Sequence, residues 1–103
     1  MAVSEKPWSR FSESDYNDEQ WYEACLIKPA KSEYTAKAQA KLPVREPDGT
    51  LNRNGVHAAA ALAGARGGVK ASPEEKRKAA RALIRLYREL EEDPPESIKR
   101  LAE

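Results

Sequence analysis

The run from Ser72 to Pro95 most limits what this chain can fold into, because it reads as one long helix from start to stop. Ser72 is a preferred cap, Pro73 suits the first helical position, and Glu75 stands where a capping box needs its side chain. Ala79, Ala80, Leu83, Ile84, Leu86, Tyr87 and Leu90 fall within one arc at helical periodicity. Arg77, Arg81, Arg85 and Arg88 form a narrow stripe on the far side. Asp93-Pro94-Pro95 stops the pattern, so the spacing predicts a helix over Pro73–Glu92. An apolar arc of seven side chains must be covered, and the rest of the chain has to supply the cover.

Two further helices are predicted for that purpose. Asn17 is placed to cap a helix starting at Asp18, with Gln20 at its third position. Tyr16 before the cap and Trp21 at the fourth position have the spacing of a hydrophobic staple. Trp21, Ala24, Cys25 and one of Leu26 or Ile27 form its inward face, and Pro29 ends it. The second helix is expected over Gly55–Ala65, capped by Asn52 or Asn54. Val56, Ala59, Ala60 and Ala63 lie on one of its sides. Those small residues let a neighbouring helix approach closely. Gly64, or Gly67-Gly68, ends it.

The stretch between these helices is ambiguous. Ala36, Ala38, Ala40 and Leu42 alternate with Lys37, Gln39 and Lys41 like a half-buried strand, but alanine and lysine are poor strand formers. A helix over Ser32–Lys41 competes with that reading. Pro43 favours an extended Leu42. Pro47-Asp48-Gly49 marks a turn, which would set Val44 opposite Leu51 across a short hairpin. Residues 1–10 are polar and expected to be loose, with Trp8 and Phe11 able to fold back. The predicted architecture is one small, mostly helical domain over residues 11–103. It has three helices and a short extended or hairpin segment around residues 36–52, with a small α+β arrangement as the alternative.

With 103 residues, the chain has room for a single thin core. Apolar residues make up 40 %, many of them alanine, which leaves little for an enclosed substrate cavity. That balance favours an interaction module over an enzyme. Cys25 is the only cysteine and has no internal disulfide partner, so a buried, reduced thiol is expected. There is no run of 18 apolar residues and no signal-peptide pattern after Met1, so no membrane partner is expected. A cytoplasmic location is expected. The net charge is +1, but it is uneven: seven acidic and four basic residues up to Glu33, against twelve basic and four acidic from Ala36 to Arg88. Such asymmetry steers partners or orients self-association.

Arg77, Arg81, Arg85 and Arg88 are the candidate binding residues. A row of guanidinium groups suits carboxylates on a protein surface or phosphates on a nucleic acid. The bland alternative is a solvated face tied by i,i+4 pairs: Glu74 with Lys78, Arg85 with Glu89, Arg88 with Glu92. A helix-turn-helix is disfavoured. The connection from Gly64 to Ser72 is long, and the second helix would lead into phosphate with Pro73-Glu74-Glu75. Gly67-Gly68 lacks the preceding strand and the Gly-Lys-Ser/Thr ending of a nucleotide loop. His57 stands without metal-ligand neighbours and is expected to cap or pack. Glu13, Asp15, Asp18 and Glu19 lack the spacing of a calcium loop. Trp8, Tyr16, Trp21 and Tyr22 are expected in the core, with an aromatic docking surface as the alternative. No catalytic residue, metal ligand or cofactor is assigned.

The punctuated run Lys41–Arg53, Asn54-Gly-Val-His-Ala-Ala-Ala, Gly64-Ala-Arg-Gly-Gly-Val69, Arg85-Leu-Tyr-Arg88 and Pro94-Pro95-Glu96 resembles a small module of actinobacterial tailed phages and prophages. The N-terminal pattern Trp8…Phe11-Ser…Asp15-Tyr16…Gln20-Trp21…Ala24-Cys25-Leu26-Ile27 resembles it too, so the likeness covers roughly residues 8–98. It implies a part in virion head assembly or structure, beside capsid maturation proteases and capsid proteins, with the host cytoplasm or a virion as the expected location, and it implies no catalytic residues. The expected function is therefore a non-enzymatic module that docks a capsid or other head protein. The alternative is a small DNA-binding protein in phage or host gene control.

Overall fold

The computed structural model describes residues 3–64 and 70–103. Gly67 and Gly68 lie outside the described residues. Four α-helices and four short strands are present among them: β1 (Val3–Ser4), α1 (Asp18–Ala24), β2 (Cys25–Ile27), β3 (Lys41–Pro43), β4 (Leu51–Asn52), α2 (Arg53–Ala63), α3 (Pro73–Glu89) and α4 (Glu96–Leu101). The strands make two small two-stranded sheets, so the fold is the small, mostly helical α+β alternative, with four helices where three were expected. The radius of gyration, 12.8 Å, is what a single compact domain of this length should have.

Local capping chemistry sets three helix starts. Asn17 and Gln20 exchange side-chain and backbone bonds, both 2.8 Å, at the head of α1. Tyr16 and Trp21 close the staple with rings edge-to-face at 5.1 Å. Asn52, not Asn54, caps α2 by accepting from Gly55 N–H at 2.8 Å. Ser72 and Glu75 form the capping box of α3, with Pro73 at its first position. The inward face of α2 is as expected, with Val56, Ala59, Ala60 and Ala63 all buried, and Gly64 is its C-cap.

Two elements differ from expectation. The first helix ends at Ala24, five residues before Pro29, and Cys25–Ile27 continues as β2, antiparallel to β3. Ile27 is β-branched and disfavours another helical turn, and sheet pairing gives its backbone an alternative partner. Only short 3-10 turns occupy Lys31–Glu33 and Lys37–Gln39, so neither a helix over Ser32–Lys41 nor a strand from Ala36 forms. Leu42 is not extended: its φ is 64°, the left-handed region, and its side chain is 3 % exposed. Burial of that leucine offsets a backbone cost of about 1–2 kcal/mol.

The hairpin is present, but its register sets Arg45, not Val44, opposite Leu51. Arg45 bridges Leu51, Asn52 N–H donates to the Val44 carbonyl at 3.0 Å, and Gly49 turns with φ 92°. Residues 3–8, expected to be loose apart from Trp8, are seated. β1 runs parallel to β4, and Asn52 and Asn54 amides donate to the Lys6 carbonyl. Trp8 lies so flat on Gly55 that a Cβ there would sit 2.9 Å from its ring.

The main core joins Ile27, Leu42, Val44 and Leu51 to the buried faces of α2, α3 and Ile98 of α4. Tyr16, Trp21, Ala24, Cys25 and Ala40 make a second, smaller cluster. Tyr16 and Trp21 are thus core residues, while Trp8 and Tyr22 are only partly buried.

Candidate functional site

Helix α3 buries Ala79, Ala80, Leu83, Leu86 and Tyr87, leaves Ile84 partly covered, and ends in the buried C-cap Leu90. That orientation leaves Arg77, Arg81, Arg85 and Arg88 exposed. From Lys76 to Arg88 the helix carries six cations and no carboxylate. None of the six is in an ion pair among the described residues. The i,i+4 pairs expected with Lys78, Arg85 and Arg88 therefore do not form. Arg81 Nε reaches only the Ala102 carbonyl, at 3.1 Å.

The pair between Arg88 and Glu92 fails for a visible reason. Helix α3 stops at Glu89, and Glu91 takes φ 60°. Glu91 N–H bonds the Arg88 carbonyl and Glu92 N–H the Tyr87 carbonyl, the two bonds of a Schellman motif. Glu92 is thereby turned off the helix and toward α2. There its carboxylate pairs with Arg53 and with His57, the latter at 2.8 Å. Partial burial pushes the Glu92 carboxyl up, but the bonds and charges of Arg53 and His57 outweigh it, and the net shift is downward. Arg53 also donates to the Leu90 carbonyl and meets Glu5 at 3.4 Å. His57 stacks on Tyr87, with ring centroids 5.7 Å apart.

This cluster is a clamp between α2 and the end of α3. An adjoining groove of about 450 Å³ includes His57 and Ser97 in its lining. Ser97 Oγ, however, stands by Gly64, 3.4 Å from where a Cβ would be. Gly64 follows His57 by seven residues, about 10 Å along the helix axis. The His57 Nε2 is held by the Glu92 carboxylate at 2.8 Å. Burial pushes the Cys25 thiol up to about 12 despite the nearby Lys28 ammonium. Burial, with the neighbouring Cys25 and the Glu46 carboxylate in support, also raises the Tyr16 hydroxyl to about 12.

Beside the arginine face runs a furrow between β2 and α3. It consists of two grooves, about 310 and 510 Å³, that share Leu26, Lys28, Ala82 and Arg85. Sequence reasoning missed it. Residues 25–27 were expected to continue a helix, with either Leu26 or Ile27 on its inner side, and Ala82 lies outside both the apolar arc and the stripe. The one available signal was the apolar Cys25-Leu26-Ile27 run ahead of Pro29, which suits a short strand.

No group of three or more histidine, cysteine or acidic side chains converges as a metal site among the described residues. No described helix is long and apolar enough to cross a membrane. The chain matches no family model, no curated protein and no solved structure. What the fold and the surface define is a class: a small α+β module with one cation-rich helix face and an apolar furrow beside it.

Proposed function

We propose that this chain is a non-enzymatic interaction module that docks an acidic protein surface through Arg77, Arg81, Arg85 and Arg88. The observation that carries this reading is the run of six cations on α3 that is left without ion-pair partners among the described residues. One exposed ion pair is worth little, but several guanidiniums at successive helical turns meet a carboxylate-rich surface together and in register. The likeness to small phage modules sets the expected partner as a capsid or other head protein.

A protein partner is favoured over nucleic acid by the surroundings. The face is entered at Glu74 and Glu75 and left at Glu89, and the chain as a whole carries only +1. Fluorescence anisotropy with a glutamate-rich peptide and with duplex DNA, each over a range of salt, separates the two. The expected result is peptide binding that weakens with salt and outlasts any DNA binding. DNA bound tightly at low salt, with a steep salt slope and no peptide binding, would replace this reading with the gene-control alternative. The virion assignment has its own test in the genes next to this one. Portal, terminase and capsid genes support it, and an integrase and repressor neighbourhood contradicts it.

A further inference from the structure

We propose that the furrow between β2 and α3 receives one apolar side chain of the docked partner, so that the partner is an extended acidic segment interrupted by a leucine- or phenylalanine-like residue. This rests on the docking role of the arginine face and adds what that face selects.

The furrow has an apolar floor and a cationic rim. Leu26 of β2 and Ala82 of α3 line both grooves and are only partly buried. The next residue, Leu83, turns into the core and is fully covered, which leaves the short Ala82 side chain at the furrow. Water held over such a floor is displaced favourably by an apolar group.

Lys28, Lys78 and Arg85 stand at the edges. Glu23, Glu75 and Glu89 line the grooves as well, and Glu89 is in no ion pair among the described residues. Glu75 accepts from Ser72 N–H at 3.0 Å, and Glu23 pairs with Lys31 at 3.6 Å. Lys28 donates to the Tyr22 carbonyl at 2.8 Å and lies over the Tyr22 ring, contacts that leave its charge uncompensated. Lys28, Arg45, Lys78 and Arg85 line the two grooves against those three carboxylates, so a positive balance remains for carboxylates beside an inserted apolar group. Arg85 belongs to the stripe and to both grooves, so an acidic segment held by the stripe is already positioned over the furrow. Phosphate backbones have no apolar side chain to fill it.

The test compares two synthetic peptides by anisotropy, one glutamate-rich and one identical but for a central leucine. The native chain is expected to bind the leucine peptide about tenfold more tightly, the effect of burying one such side chain. Ala82→Trp, which fills the furrow, is expected to bring the two peptides to equal affinity. Leu26→Ser does the same from the strand side and serves if the tryptophan variant fails to fold. Equal affinities on the native chain, with both peptides bound, overturn the furrow inference and leave the docking reading standing. If neither peptide binds, or duplex DNA displaces both, the docking reading falls and this inference falls with it.

Discussion

Glu91 occupies a left-handed conformation that glycine adopts without cost, φ 60°, at the turn ending α3. Its side chain is exposed, so nothing is lost by removing it. Glu91→Gly is expected to stabilise the fold by about 1 kcal/mol, seen in urea unfolding as a higher midpoint at unchanged slope. Asn52 is the opposite case. It is fully buried, caps α2, and donates to the Lys6 carbonyl and to the buried Glu46 carboxylate at 3.1 and 2.9 Å. Asn52→Ala is expected to cost about 2–4 kcal/mol in the same measurement, since it removes a cap and leaves Glu46 poorly partnered.

The raised Cys25 and Tyr16 groups give stability a pH dependence. Each keeps its proton in the folded chain up to about 12, while the ordinary values are 9.0 and 10.0. Between those limits the unfolded chain binds fewer protons than the folded one, so stability falls as pH rises. It should be complete below pH 9 and decline from there toward pH 12. Cys25→Ala is expected to delay the onset of the decline to the tyrosine range. The native thiol should also resist alkylation at neutral pH until the chain is unfolded.

Among the elements, helix starts and the 36–52 hairpin segment were legible in the sequence, and the pairing of distant strands was not. Ser72, Asn17 and Asn52 are capping residues whose partners lie three positions on, so sequence distance equals structural distance. β1 and β4 are two residues each, and β2 and β3 three, too short to show alternation. Their pairing joins segments far apart in sequence, Val3 with Leu51 and Cys25 with Pro43, which no local pattern records. The furrow shares that fate, being a gap between a strand hidden in a helical reading and a helix position outside the apolar arc. The arginine stripe was legible because one helix carries all of it. Of the ion pairs expected along it, Arg88 with Glu92 fails because Glu91 turns Glu92 away. The seating of residues 3–8 can be tested at Gly55. Gly55→Ala places a methyl against the Trp8 ring, and the expected outcome is tryptophan emission shifted to the red with far-UV circular dichroism unchanged.

At the scale of the whole molecule, one apolar core fixes which side of α3 faces water, and the exposed arginines follow from that packing. Reversing Arg81 and Arg85 to glutamate changes nothing that the core depends on, and surface changes of this kind stay within about 0.5 kcal/mol. The decisive measurement is therefore the affinity of this double reversal for the glutamate-rich peptide, with circular dichroism and thermal melting on the same sample. The account predicts a native spectrum, a nearly native melt and no peptide binding. Binding as tight as that of the native chain would contradict it and take the arginine face out of the function.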